Sequence, residues 1–153
     1  MKGLEMKAAL VQSGLVAPEE VVGCSEEELR DIIAKAGGFL PSTYVDFLSV
    51  MGKSCGKFLQ GTDTFFRHIP KLQSFADELL AENESSFVLP DGAFVFYVHQ
   101  GYEFGYFLLD GVDDPKVFQF VEGDEASKLT WPSLSGYFSE LINAFLNAAK
   151  NLD

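Results

Sequence analysis

Few side chains in this 153-residue sequence could make or break bonds: two cysteines, two histidines and two acidic clusters stand out. A thiol acts as a nucleophile only as the thiolate, which needs a cation or a base beside it. Cys24 lies just ahead of Glu26, Glu27 and Glu28, whose charges raise its pKa. Cys55 sits between Lys53 and Lys57, a better setting, yet no Cys-His signature accompanies it. Both read as ordinary thiols. Two such residues make no disulfide framework, as expected of a chain built for a reducing compartment. His68 and His99 have no matched Cys or Glu spacing that would suit a metal. His99 ends an apolar run just before Gln100 and Gly101, so its ring is expected to bond a turn carbonyl or lie beneath Tyr102. A pH-sensitive or partner-contacting role is the alternative.

Asp110, Asp113 and Asp114 resemble cation ligands, but an EF-hand loop needs alternating Asp or Asn and a distal Glu. Glu122, Asp124 and Glu125 form the second cluster. If one strand joins the two clusters, its roughly five residues at ~3.4 Å each hold them ~17 Å apart. That is too far for one metal site, or for the paired carboxylates of a glycosidase, which lie within about 10 Å. Turn formation and solubility account for these residues; contact with a basic partner is the functional alternative. No phosphate-cradling glycine loop, zinc spacing or His-Glu-x-x-His helix occurs, and the stretch from Gly101 to Gly105 opens no helix. The sequence offers no catalytic residue, no cofactor-binding residue and no metal ligand. The expectation is a protein that is not an enzyme and carries no cofactor.

The elements that must position these groups are marked by periodicity. Leu4, Ala8, Leu10 and Val11 have loose helical spacing, predicting a short first helix that ends near Gly14. Pro18, Glu19 and Glu20 make a turn. Ser25 and Glu28 form a capping box, Leu29, Ile32 and Ile33 give an apolar face, and Gly37-Gly38 stops the helix. After Leu40-Pro41, Ser42 is placed to cap a second helix carrying Tyr44, Phe47, Leu48 and Met51. Lys57 to Gln60 reads as a short strand between Gly56 and Gly61. Pro70 starts a helix whose apolar face is Leu72, Phe75, Ala76, Leu79 and Leu80. Three apolar runs of strand length follow, at 94–99, 104–109 and 117–121, joined by links short enough to connect only antiparallel neighbours. Trp131-Pro132-Ser133 leads into a closing amphipathic helix from Leu134 to Leu146. The fold class is α+β: a mostly antiparallel sheet, a meander of about four to six strands, with helices packed around it in a single domain over residues 1–153. The first two of these strands are apolar on both faces. Either helices cover both, or one face keeps an aromatic surface for a partner.

Charge narrows the partners. Eleven basic against 23 acidic residues give a net charge of −12, which repels phosphate backbones and anionic membranes, so neither nucleic acid nor a membrane is expected as a direct partner. With 47% apolar residues the chain can build a substantial core and is not intrinsically disordered. Glu5 and Lys7 interrupt what a signal peptide would need as its apolar stretch, and no apolar run approaches ~20 residues, so the expected location is cytoplasmic.

The segment Ser25-Glu26-Glu27-Glu28-Leu29, then Leu40-Pro41-Ser42 with Tyr44, Phe47 and Leu48, resembles the N-terminal signature of the SUKH superfamily, the Smi/Knr-like domains. So do His99-Gln100-Gly101-Tyr102-Glu103-Phe104, then Asp113-Asp114-Pro115 with Val117, and the closing Tyr137-Phe138 with Leu141. The resemblance implies an α+β fold and no catalytic residues. It also implies a protein-binding role: bacterial members are widely immunity proteins that neutralise polymorphic toxins, often nucleases, and fungal relatives act through protein contacts in cell-wall synthesis control. A basic protein partner, such as a toxin domain, suits the charge. Tyr102, Glu103, Glu122, Asp124 and Glu125, gathered at one end of the meander, are the expected partner-binding residues.

Overall fold

The computed structural model describes residues 1–150. Helix α1 (Gly3–Gln12) begins where the Gly3 amide donates to the Asp46 carboxylate at 2.7 Å, so a side chain of a neighbouring helix closes its free end. Its buried stripe is Gly3, Met6 and Leu10, while Leu4 and Ala8 face solvent, contrary to the expected face. The cause is the close approach at Gly3, where a Cβ would stand 2.8 Å from Val50 and 3.1 Å from the Asp46 carbonyl oxygen. Helix α2 (Glu26–Lys35) has the predicted capping box: the Glu28 amide donates to Ser25 Oγ at 3.1 Å and the Ser25 amide to Glu28 Oε1 at 2.8 Å. Gly37 and Gly38, at φ of 92° and 104°, end it in a conformation that side chains resist. Helix α3 (Ser42–Met51) buries Tyr44, Phe47, Leu48 and Met51 as expected. Its start differs: Pro41 holds the cap position, Ser42 is already helical, and the Thr43 amide is satisfied by the Asp113 carbonyl at 3.1 Å.

Two short strands, β1 (Val21–Val22) and β2 (Ser54–Cys55), pair antiparallel beside these helices. The strand expected over 57–60 is a run of turns instead. Gly56, Leu59 and Gly61 all adopt positive φ, at 63°, 62° and 87°, which breaks extended geometry and turns Phe58 into the core. Helix α4 (Ile69–Glu82) buries Leu72, Ala76, Leu79 and Leu80, but Phe75 is 43% exposed at the edge of that stripe.

The main sheet has five antiparallel strands in sequence order: β3 (Thr62–Asp63), β4 (Ala93–His99), β5 (Glu103–Leu108), β6 (Val117–Val121) and β7 (Lys128–Trp131). The meander is as read, with one strand added at each side. Sequence patterning missed β7 because three of its four residues are exposed and show no apolar alternation. Helix α5 (Leu134–Lys150) closes the chain with Leu134, Tyr137, Phe138 and Ile142 buried. Helices cover both sheet faces. Phe96, Phe107 and Val117 pack with α1, α3 and α5; Val95, Val98, Phe104, Tyr106 and Phe120 pack with α4. Among the described residues no helix is long and apolar enough to cross a membrane.

At the centre, the Tyr44 ring meets Phe94 and Phe107 edge-on, with centroids 5.5 and 5.3 Å away. Its hydroxyl is buried with no hydrogen-bond partner, and burial pushes its pKa far above the ordinary value. A buried, unpaired hydroxyl is a cost that removal of the oxygen relieves. Tyr44→Phe is therefore expected to leave urea stability unchanged or raise it by up to about 2 kcal/mol. A loss of more than about 1 kcal/mol would mean that the hydroxyl has a partner in solution.

Candidate functional site

An irregularity in β4 creates the most structured polar group on the molecule. Val95 pairs with Tyr106 and Tyr97 with Gly105, so Phe96 is an extra residue opposite one step of β5. The bulge puts Phe96 and Tyr97 on the same face, where a regular strand would alternate them. Phe96 enters the core, and the Tyr97 ring lies across Gly105. A Cβ at Gly105 would stand 2.0 Å from Tyr97 Cε1, so only glycine lets the ring rest there. From this position the Tyr97 hydroxyl donates to Glu103 Oε2 at 2.6 Å. Gln119 Nε2, from the next strand, donates to the same oxygen at 2.8 Å, and Gln119 Oε1 accepts from the Thr130 hydroxyl at 3.4 Å. Strands β4 to β7 thus each supply one member of a short polar chain ending on a carboxylate.

Around this carboxylate lies a cleft of about 440 Å³. Tyr137 and Phe145 of α5 form one side; Tyr102, His99 and Trp131 form aromatic edges; Lys57 stands exposed at the rim. Trp131 meets Tyr137 edge-on at 4.8 Å, and its indole N–H donates to Glu140. His99 shares a 2.8 Å hydrogen bond with the Thr62 hydroxyl, and its ring meets Tyr102 edge-on at 5.7 Å. The expected contact with Tyr102 is present, and a hydroxyl replaces the turn carbonyl. Burial pushes the Tyr97 and Tyr137 hydroxyls far up, with the Glu103 charge adding to both, so they remain neutral. Ion pairs among the described residues join Arg30 to Glu26, Lys53 to Glu28, His68 to Asp63 and Lys128 to Asp124. None reaches the cleft. Glu103 is half-buried and held by neutral donors alone.

The five residues expected to bind a partner lie at one end of the sheet but separate into two groups. Tyr102 and Glu103 line the cleft. The Glu122 amide donates to the Tyr102 carbonyl at 2.8 Å, which brings the two turns together as the meander requires. Asp124 and Glu125, however, dock on the α4 side. Asn83 bonds the Gly123 amide at 2.8 Å and the Asp124 carbonyl at 3.3 Å, and the Ser85 hydroxyl donates to the Glu125 carbonyl at 3.2 Å. The Asp124 carboxylate closes its own turn by accepting from Val121 at 3.0 Å. In the other acidic cluster, Asp114 caps α5 by accepting the Ser135 amide at 2.8 Å, and Asp110 accepts the Val112 amide at 3.3 Å. These are the turn and cap roles that short carboxylates fill. Sequence reasoning did not place Tyr97, Gln119, Trp131 or Tyr137 in a site. A glycine and a glutamine inside otherwise apolar strands were the available signals.

Among the described residues no three His, Cys, Asp or Glu side chains gather closely enough to hold a metal ion. Cys24 is pushed up to about 11 by burial and then by Glu28, with Lys53 opposing; burial alone takes Cys55 to about 12. On the order of one thiol in a thousand is then ionised at pH 8 for the more acidic of the two. In the native protein, iodoacetamide at pH 8 is expected to label both at least ~100-fold more slowly than in denaturant. Rapid native labelling of either would restore it as a candidate nucleophile.

The family model described as the SMI1 / KNR4 family (SUKH-1) matches residues 23–140. That span holds Tyr97, Tyr102, Glu103, Gln119, Trp131 and Tyr137, and leaves α1 and the rest of α5 outside it. No curated protein matches the chain.

The geometry makes one demand that can be checked directly. Gly105→Ala is expected to lower stability by roughly 1–3 kcal/mol, because the added methyl collides with the Tyr97 ring. Adding Tyr97→Ala is expected to make the glycine substitution nearly neutral, a coupling that a double-mutant cycle by urea denaturation measures. Additive losses would mean that the ring does not rest on Gly105.

Proposed function

From the fact that the chain belongs to the SMI1 / KNR4 family (SUKH-1), we infer that it is a protein-binding domain of the immunity type, which neutralises a cognate toxin by covering its working surface. It makes and breaks no covalent bond. The observation that carries this reading is Glu103, a half-buried carboxylate in an aromatic cleft that forms no ion pair among the described residues, on a chain of net charge −12. Such a surface draws in a basic domain over long range and then anchors it through aromatic contact. A nuclease, whose substrate channel must be positive to hold phosphates, is the toxin chemistry that fits best. Inhibition then consists of occupying that channel in place of the nucleic acid. The buried thiols suit action in the cytosol, where cysteines stay reduced.

The test is co-expression with any toxin domain encoded beside the gene, together with binding of the two purified proteins. Growth is expected to be restored, and the association rate to fall at least about tenfold between roughly 20 and 500 mM salt. Joint charge reversal at Glu122 and Glu125, whose side chains are exposed, is expected to slow association several-fold while leaving folding intact. No rescue, with capture of a host regulatory protein instead, would replace this reading with the scaffold role of the Smi/Knr type.

A further inference from the structure

We propose that the cleft is a socket for one arginine side chain of the partner, its guanidinium set against Glu103 beside the ring of Tyr102. This deepens the protein-binding reading and rests on it. Glu103 Oε2 already accepts from Tyr97 and Gln119. Among the described residues, no group donates to Oε1, which is left as an open acceptor on a held carboxylate. A carboxylate oriented in advance by two neutral donors loses little freedom when a cation arrives, while its charge remains uncompensated until then.

Three features select the cation. The walls are aromatic, with Tyr102, Trp131, Tyr137 and His99 around the opening, and ring faces attract positive charge. At about 440 Å³ the cleft has room for a long side chain together with part of the backbone that carries it. A guanidinium is flat, weakly hydrated and able to stack on a ring while bonding a carboxylate in its own plane, whereas an ammonium is strongly hydrated and makes no such stack. The chain has only two arginines, and both are engaged elsewhere. Arg30 pairs with Glu26, and Arg67 lies over the Phe65 ring and donates to the Lys53 carbonyl. Lys57 at the rim forms no ion pair among the described residues, so it is a neighbour of the socket and not its occupant. The guanidinium must come from another molecule.

Trp131, the sole tryptophan, lines the cleft and reports its occupancy. The probe is the tripeptide acetyl-Gly-Arg-Gly-amide, followed by Trp131 fluorescence and by the NMR signals of the Gln119 side-chain amide. A saturable response in about the millimolar range is expected, as befits a single anchoring residue. The lysine analogue is expected to bind several-fold more weakly and the citrulline analogue, which keeps the shape but lacks the charge, not measurably. Glu103→Gln, which retains an oxygen for Tyr97 and Gln119, is expected to weaken binding at least tenfold. Tyr102→Ala, at an exposed turn position, is expected to weaken it several-fold and carries the test if the first variant is unstable. Equal response to arginine and citrulline, or none up to about 100 mM, would overturn the socket. If that happens while a basic toxin domain still binds in a salt-sensitive way, the socket fails and the broader function stands. If the tripeptide binds as described while no toxin is neutralised, the socket stands and the immunity role fails.

Discussion

The contact between the Tyr97 ring and the bare backbone of Gly105 decides how the polar groups on the cleft side of the sheet are arranged. A regular β4 would send Tyr97 to the α4 side; the extra residue at Phe96 turns it towards α5 instead. Glycine then gives the ring room to cross a whole strand, and the hydroxyl at its far end reaches Glu103. Each step depends on the one before it. Had residue 105 any side chain, the ring would lift, the hydroxyl would lose its acceptor, and Glu103 would keep only Gln119 for orientation.

This arrangement divides the acidic residues into two populations. Asp46, Asp114, Glu28 and Asp124 use their oxygens on backbone amides, three of them at the ends of helices, where the peptide dipoles favour negative charge. In the proposed complex they would act through the long-range field alone. Glu103 lines the cleft and is bonded to side chains from neighbouring strands through one oxygen, the other having no donor among the described residues. A strongly negative molecule can thus steer many cations and still select among them at one place, because field strength and directed hydrogen bonding reside in different residues.

Much of the fold was legible from short-range signals. Ser25 and Glu28, Gly37-Gly38, and the spacing of Tyr44, Phe47, Leu48 and Met51 act within a turn or two of helix, and the structure follows them. The meander followed from the apolar runs and the brevity of their links. What escaped depends on partners distant in sequence. Ser42 loses the cap role because the Asp113 carbonyl reaches the helix from a remote turn. Leu4 is displaced by the close packing that Gly3 permits against α3. The same holds for the cleft: Tyr102 and Glu103 were found from their place at a turn, whereas Tyr97 looks like any core aromatic until the bulge and Gly105 are seen together. Asp124 and Glu125 were grouped with them because a linear reading knows which end of the strand a residue occupies, but not that Asn83 and Ser85 draw its turn to the other side.

The borders of the sheet have a consequence of their own. β3 contributes only two residues at one margin, and β7 four at the other, with Lys128 at its start. A long, bare margin is a template onto which further copies can accrete, and brevity and positive charge both frustrate such growth. A polypeptide with fifteen phenylalanines thus carries, in the borders of its own sheet, two of the devices that discourage edge-to-edge growth into fibres.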